Sequence, residues 1–371
     1  MLEASATAID SDRRLPESVV EAIKAQGLFQ LLLPRAYGGG EVAPARFVEV
    51  LEELARHDAS TAWCVGQLGV CAMAAAYLPP GSAHHIFDDG GILAWGSTTS
   101  PVMARPERGG YRVTGRWSFA SGGHHATWLG GHCVVADPDG NLRQDARGRT
   151  IPRTLLFRAE EVNWSDDWDV LGLRGTGSDS YSVEDLFVPE ELSLARDLQS
   201  ERVIDSQLYR LRSEHMYACG FAGVALGVAR SMLDALVRLA TEKTPRGFRS
   251  TMGESAVVQS EVAQLEAALR SSRHFLYGTV AEVWSAAASG ELSMADRVAV
   301  RLAATHCIDQ ARRVANASYH SAGSDAIRGS GPFERRFRDL SSIAQQMQGR
   351  QSHYQTVGRY LLGAEFEPQF L

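Results

Sequence analysis

A tryptophan, a serine and two glycines stand close together in the segment 111–135, YRVTGRWSFASGGHHATWLGGHCVV. Its alternating apolar residues predict two strands joined by a glycine turn that begins at Ser121, with Trp117 and Phe119 on one face. Glycines allow positive φ and let backbone amides approach a ligand without a Cβ in the way. Trp117 can stack on a flat ring, and the Ser121 hydroxyl can hydrogen-bond its polar edge. The segment predicts either the wall of a ligand site or an ordinary hairpin.

A second set of side chains recurs at helical spacing. Trp63, Gln67 and Cys71 are four residues apart, so they share one face of an otherwise apolar helix. Gln346 occupies a similar row in the last helical region. A neutral amide can hydrogen-bond a substrate but cannot take a proton at neutral pH. We therefore expect Gln67 and Gln346 to line a pocket, whereas Trp63 and Cys71 fit either the pocket wall or plain core.

Bulk properties exclude several classes of function. The chain of 371 residues carries a formal net charge of −7, which argues against a nucleic-acid or anionic-membrane surface. Five scattered cysteines without metal-site spacing favour reduced thiols. The N-terminus lacks a signal pattern, and no uncharged apolar run approaches a membrane span. We expect a cytoplasmic protein that binds no metal.

Three regions of different composition would position these residues. The sequence predicts a mainly helical α+β protein with an N-terminal helical domain (1–90), a central antiparallel β-barrel or sandwich (91–195) and a C-terminal four-helix bundle (196–371). Helices are expected over 12–26, 43–57 and 62–77. The four bundle segments are expected over 206–241, 254–289, 293–322 and 333–363. Strands are expected over 92–99, 111–119, 127–136, 153–159 and 181–188, with turns over 137–141 and 145–150.

Five motifs in this order resemble the acyl-CoA dehydrogenase fold, and more closely its branch of flavin-dependent monooxygenases. They are LLLPRAYGGG, DASTAW, GGYRVTGRWSFASG, WDVLGLRGTGSDSYSVEDLFVPEE and FERRFRDL. The resemblance covers nearly the whole chain. It implies a flavin held between the β-domain and the bundle, with a neighbouring subunit closing the site in a homotetramer.

The resemblance also assigns candidate flavin contacts. Ser121 would lie near flavin N5, and Trp117 would help to wall the ring. Each serine or threonine hydroxyl among the candidates could instead be an ordinary turn or strand group, and Arg246 and Arg249 could form a solvated basic loop. The implied cofactor-binding residues are Trp117, Ser121, Ser97, Thr98, Thr176, Ser178, Arg246 and Arg249.

The chain departs from the family where relatives place a catalytic acid or base. Tyr217 occupies one position of the acyl-CoA dehydrogenase base, with Glu214 one turn earlier, and the other position contains no acid. Gln346 and Cys71 replace histidines that are common in the hydroxylases. Ser121 and Gln346 are the catalytic candidates. The substrate-binding candidates are Trp63, Gln67, Cys71, Tyr217 and Gln346.

These features predict the oxygenase component of a two-component monooxygenase. Reduced FMN or FAD would come from a separate reductase, because no nicotinamide-binding motif is present. Oxygen would pass through a flavin C4a-hydroperoxide to a small apolar or aromatic substrate. Two alternatives remain open: an acyl-CoA dehydrogenase or oxidase with FAD and an unplaced base, and a relative that binds flavin without catalysis.

Overall fold

The computed structural model describes residues 1–98, 100–136, 139–144, 148, 150–368 and 371. The predicted turns 137–141 and 145–150 fall partly outside these ranges. The helices are α1 Leu2–Ser11, α2 Glu17–Ala25, α3 Pro44–His57, α4 Ala59–Ala72, α5 Pro80–Phe87, α6 Ser213–Glu242, α7 Ala256–Ser289, α8 Met294–Ala322, α9 Glu334–Ile343 and α10 Ser352–Leu361. The strands are β1 Leu93–Trp95, β2 Met103–Glu107, β3 Gly110–Trp117, β4 Trp128–Val135, β5 Pro152–Arg158, β6 Asn163–Trp164, β7 Tyr181–Pro189 and β8 Ser193–Leu194.

Local sequence signals explain the N-terminal helices. Gly27, with φ of 65°, follows α2 at its C-terminal end, and Pro44 occupies the first turn of α3. Asp58 caps α4 by accepting a hydrogen bond from the Thr61 N–H at 2.7 Å. The helix therefore begins at Ala59, three residues earlier than expected, because the predicted capping residues themselves take helical conformation.

The central sheet is mixed, so the expectation of an antiparallel β-domain is wrong in part. Its strand order is β6-β7-β3-β2-β4-β5-β8, with β1 also paired to β4. Most pairs are antiparallel, but β4 runs parallel to both β1 and β2. Strand β2 was missed because Pro106 and three charged or exposed neighbours obscure its alternation.

Three long helices form most of the C-terminal bundle. Helix α6 packs closely on α3 at glycines: a Cβ on Gly227 would lie 2.1 Å from the Glu52 carbonyl oxygen. Helices α7 and α8 match the predicted segments within two residues, whereas α6 begins at Ser213, seven residues later than expected, after a 3₁₀ turn over Gln207–Arg210. The fourth segment is instead divided into α9 and α10, because the chain leaves helical geometry at Gln346, where ψ is 154°.

Two helical stretches, Ala59–Tyr77 and Ser213–Glu242, are long and apolar enough to cross a membrane by composition alone. The expectation that no uncharged apolar run approaches a membrane span is therefore wrong for 59–77, which contains no Asp, Glu, Lys or Arg. Within the protein, 94% and 78% of their most apolar windows are buried. Both stretches are therefore central core helices of this fold. The strands lie between residues 93 and 194, with helices on either side. The division at residues 90 and 195 stays a prediction.

Candidate functional site

Four hydroxyl and indole groups from three parts of the chain join at the turn after β3. The Trp63 Nε1–H donates to Ser121 Oγ at 3.1 Å. Ser121 Oγ lies 2.7 Å from Ser178 Oγ, which lies 2.6 Å from Thr176 Oγ1. The Thr176 hydroxyl donates to the Leu173 carbonyl oxygen at 2.8 Å. The structure thus brings together Trp63, a substrate-binding candidate, and Ser121, Thr176 and Ser178, three of the cofactor-binding candidates; their roles stay predictions.

Glycines and a histidine–carboxylate pair hold this turn in place. Gly122 has φ of 72°, and its N–H donates to the Thr176 carbonyl oxygen at 2.9 Å. A side chain would be strained at this φ. His124 Nε2 lies 2.8 Å from Asp179 Oδ2, so it ties the turn to the segment that carries Ser178. The hydroxyls are therefore fixed by backbone geometry on both sides.

A second group of predicted residues meets where α4 and α6 face each other. Gln67 is the one residue of α4 that is not buried, and Tyr217 is the one residue of 215–229 in α6 that is not buried. The two contact each other, with Gln67 Nε2 at 3.2 Å from Tyr217 Oη. Two partly exposed side chains that meet between buried helices indicate a cavity at this contact.

The hydrogen bonds of this cavity have a defined direction. Gln67 Nε2 also lies 3.3 Å from the Trp95 carbonyl oxygen, which can only accept, so the amide orientation is fixed. Tyr217 Oη accepts from Gln67 and from Trp95 Nε1 at 3.0 Å. Its own proton is left for Cys71 Sγ at 3.7 Å. No donor to Gln67 Oε1 occurs among the described residues, so this oxygen can accept from a ligand.

Aromatic rings connect the cavity to the hydroxyl turn. The Trp63 ring stacks on Phe221 with centroids 3.6 Å apart, and Phe221 stacks on Tyr217 at 5.6 Å. Because Trp63 also bonds Ser121, the turn and the cavity form one continuous site.

An ionic cluster lies behind the cavity. Arg196 pairs with Glu214 at 3.5 Å and with Asp197 at 3.6 Å, and its guanidinium lies 5.3 Å from the Trp95 ring centroid. Burial and the Glu214 charge raise the pKa of Asp197 to about 7. Burial opposes ionisation of Glu214, but Arg196 and Asp197 lower its pKa to about 2. Glu214 is thus an ion-pair partner and a poor base.

Apart from Asp197 in the ionic cluster behind it, the titratable groups nearest the cavity do not change charge near neutral pH. Burial raises the pKa of Cys71 to about 12, and burial together with Cys71 raises that of Tyr217. Burial lowers the pKa of His132, which packs against Trp95, to about 3. The described cavity residues therefore offer hydrogen bonds and aromatic surface rather than a base suited to neutral pH.

The aromatic residue that faces outward from the turn is Phe119, and the prediction for Trp117 needs correction. Trp117 is fully buried and donates to the His132 carbonyl oxygen at 2.9 Å, so its ring packs inside the β-domain. Phe119 is 58% exposed. Trp117 and Phe119 do not share one face of a strand, because β3 ends at Trp117 and Phe119 has φ of 62°. The alternation of apolar residues in the sequence cannot reveal this backbone conformation.

The backbone of Ser97 is hydrogen-bonded to the segment that leads into this turn, whereas the Thr98 side chain is hydrogen-bonded elsewhere. Ser97 is exposed, and its backbone pairs with Ser118 in both directions, at 2.7 and 2.8 Å. It therefore stands beside Phe119. The Thr98 hydroxyl instead bonds the backbone of Ser100. A flavin contact of either residue stays a prediction.

Three further candidates are not joined to the site by any hydrogen bond within the described ranges. Gln346 Oε1 accepts from the Gln348 N–H at 2.6 Å, so its side chain caps a short 3₁₀ turn. Arg246 and Arg249 are exposed on the loop between α6 and α7. The roles of these three residues stay predictions. Gln346 Oε1 already accepts a hydrogen bond from nearby backbone, whereas the partners of Ser121 Oγ are side chains from distant parts of the chain.

Comparison with known proteins identifies the family. The description "Acyl-CoA dehydrogenase, N-terminal domain" matches residues 1–79, and "Acyl-CoA dehydrogenase, C-terminal domain" matches residues 219–349. Indole-3-acetate monooxygenase of Pseudomonas putida is 28% identical over 98% of this chain and 91% of that protein. The chain belongs to the acyl-CoA dehydrogenase family, in its branch of flavin-dependent monooxygenases. The predicted family and the acyl-CoA dehydrogenase-like fold are confirmed, with a central sheet that is mixed rather than antiparallel.

Other members of this branch agree. The FADH(2)-dependent resorcinol hydroxylase oxygenase component of Rhizobium sp. is 27% identical over 100% of this chain and 93% of that protein. The structure of XiaF from Streptomyces sp., solved with FADH2 and glycerol, has a TM-score of 0.89. It is 21% identical and covers 98% of this chain and 92% of XiaF. These relatives support the monooxygenase prediction rather than the dehydrogenase alternative.

The groups at the turn fit the flavin that this family implies. A flavin ring needs a flat apolar surface and hydrogen-bonding groups at its edge. Phe119 supplies the exposed aromatic surface, and the adjacent Ser97 is exposed. Ser121 contributes an oxygen with an acceptor position that no described residue uses. These three residues would hold the ring on the β-domain side.

Proposed function

We propose that this monooxygenase is the oxygenase component of a two-component system that hydroxylates a small aromatic compound with a ring N–H donor. One observation carries the substrate class: Gln67 Oε1 accepts no hydrogen bond from the described residues, yet it lies in a cavity with Trp63, Tyr217 and Trp95. A partly exposed acceptor among aromatic rings suits an aromatic ligand that donates one hydrogen bond.

None of the described side chains that line the cavity is a base suited to neutral pH, and this narrows the substrate class. A phenol gains reactivity by deprotonation, but Cys71 and Tyr217 have raised pKa values and His132 a strongly lowered one. An indole-type ring is electron-rich without losing a proton. The related Pseudomonas putida protein is named for indole-3-acetate, which supports this choice. Tyr217 and Cys71 would orient Gln67, and Trp63 would separate substrate from Ser121.

Bound reduced flavin would supply two electrons and activate dioxygen. One oxygen atom enters the substrate and the other leaves as water, with flavin oxidised. The chain's own task is to orient the ring through Phe119 and Ser121 and to exclude water from the aromatic cavity. We propose FMN or FAD as cofactor, delivered by a separate reductase in the cytoplasm, and a homotetramer as the assembly.

The test is coupled turnover. The protein is mixed with a flavin reductase, NADH, FMN or FAD, oxygen and an indole-type substrate, and hydroxylated product is compared with hydrogen peroxide release. We expect product to account for most of the NADH consumed. Peroxide alone with every aromatic tested would contradict oxygenase function and would indicate a flavin-binding relative. Anaerobic bleaching of bound flavin by acyl-CoA thioesters would instead establish the dehydrogenase alternative.

A further inference from the structure

The hydroxyl chain at Ser121 has only one arrangement of protons that makes all of its hydrogen bonds. The Leu173 carbonyl can only accept, so the Thr176 proton is committed to it. The Thr176–Ser178 contact then needs the Ser178 proton, and the Ser178–Ser121 contact needs the Ser121 proton. The exposed fractions of Thr176, Ser178 and Ser121 are 2%, 2% and 6%. Water therefore competes little for these bonds.

This direction decides what Ser121 can offer to a ligand. Its single proton points along the chain to Ser178, and one lone pair accepts the Trp63 N–H. A hydroxyl oxygen has two lone pairs, so one acceptor position remains. Ser121 can therefore offer an acceptor, and not a donor, to a ligand.

We propose that Thr176 and Ser178 determine which oxidation state of flavin this site prefers, an inference that rests on the proposed flavin site. Flavin N5 carries a hydrogen when reduced and a bare lone pair when oxidised. An acceptor at Ser121 matches the reduced form. Thr176 and Ser178 act through Ser121, so they are positioning residues rather than catalytic ones.

Binding oxidised flavin through the same contact requires the hydrogen bonds between the three hydroxyls to reverse their direction. Ser121 would turn its proton outward, Ser178 would donate to Ser121, and Thr176 would donate to Ser178. The Leu173 carbonyl then loses the Thr176 bond, although it keeps those from Trp168 Nε1 and the Thr176 N–H, at 3.2 and 3.1 Å. The loss of one buried hydrogen bond corresponds to about a fivefold preference for reduced flavin.

The proposal is tested by measuring Kd for reduced FMN anaerobically and for oxidised FMN, with the same pair repeated for FAD. Thr176→Val keeps the side-chain shape but removes the fixed end of the chain. We expect the ratio of oxidised to reduced Kd to fall about fivefold. Thr176→Ser restores a hydroxyl and should keep the parental ratio.

Ser178→Ala provides a second variant, because it breaks the chain and frees the Ser121 proton while Thr176 stays in place. The same fall in the Kd ratio is expected, and this variant decides the matter if Thr176→Val does not fold. A parental ratio in the two loss variants, or equal Kd values in the parent, would overturn the proposal and leave the flavin function standing. A parent that binds neither oxidation state would reject both.

Discussion

Gln67 illustrates how one amide can be held in a single orientation and still serve a ligand. Its nitrogen has three acceptors within reach, among them the Trp95 carbonyl. Its oxygen is therefore directed away from them, and nothing in the described part of the chain donates to it. Tyr217 and Cys71 already have hydrogen-bond partners within the cavity. Gln67 Oε1 is therefore the group through which the cavity can select a substrate.

Gln67→Leu should remove this selection while keeping a side chain of similar size. We expect KM for indole to rise about tenfold, because the ring N–H then enters an apolar site without a partner. 1-Methylindole lacks that N–H, so its KM should change little. Steady-state kinetics with both substrates separate the hydrogen bond from general damage to the cavity. Equal increases in KM for the two substrates would contradict the role of Gln67 Oε1.

At the scale of elements, the site depends on a loop that the last helical region holds down. Asp339, in the RD pair of α9, accepts a hydrogen bond from the Leu173 N–H at 2.7 Å. Leu173 has φ of 56°, and its carbonyl anchors the Thr176 hydroxyl. Asp58, the cap of α4, pairs with Arg335 of α9. Helix α9 therefore ties the hydroxyl loop and helix α4 together.

Asp339 makes this tie dependent on pH. Burial raises its pKa to about 7, even though the Leu173 N–H and Arg335 favour the carboxylate. A carboxyl whose folded pKa lies above its unfolded value stabilises the protein below the unfolded pKa, and this contribution is lost as pH rises through the folded pKa. The free energy of unfolding should therefore contain a term from Asp339 that falls between about pH 4 and 7.

Asp339→Asn should abolish this term, because an amide does not titrate but its oxygen still accepts from Leu173. Relative to the parent, the variant should gain stability with rising pH, by up to about 1.4 kcal/mol per pH unit. Urea unfolding at several pH values measures the difference. Asp169→Asn, at an exposed carboxylate of the same loop, controls for loss of a charge. Parallel stability curves for Asp339→Asn and parent would disprove the assignment.

The same elements show what the sequence could predict. The four-residue spacing of Trp63, Gln67 and Cys71 defines one helix face, and that face does meet the site. The hydroxyl chain joins Ser121 to Ser178 across 57 residues, which no local pattern can reveal. Phe119 was missed because its backbone conformation, and not its residue type, turns it outward. The sequence predicts a continuous helix through Gln346, but the helical conformation is interrupted at this residue.

At the scale of the whole molecule, the surface retains features that a second copy of the chain would explain. Phe248 is 69% exposed, between Arg246 and Arg249 on the loop that joins α6 to α7. On α7 itself, Val257 is 76% and Phe275 40% exposed. These apolar side chains are available for contact with a neighbouring subunit. Among the described residues, Arg246 and Arg249 have no ion-pair partner, so they are available to an anionic group on a neighbour.

We expect these arginines to bind the flavin phosphate of the adjacent subunit, so Arg246→Ala/Arg249→Ala should weaken reduced-flavin binding and its salt dependence. Arg108→Ala, in the exposed turn between β2 and β3, is the control and should leave both unchanged. Flavin titration at two salt concentrations measures the effect. Equal affinities for the double variant and the parent would exclude the loop from the site.

Mixed assemblies decide whether the loop acts within its own subunit or across the interface. One subunit type carries the two arginine changes, and the other carries Phe119→Asp, which places a charge on the flavin wall. If the loop acts across the interface, random mixing joins an intact wall to an intact loop in about a quarter of the sites. If it acts within one subunit, every site lacks one or the other. Recovery of flavin binding after co-refolding would therefore establish the shared site, and no recovery would confine each site to a single chain.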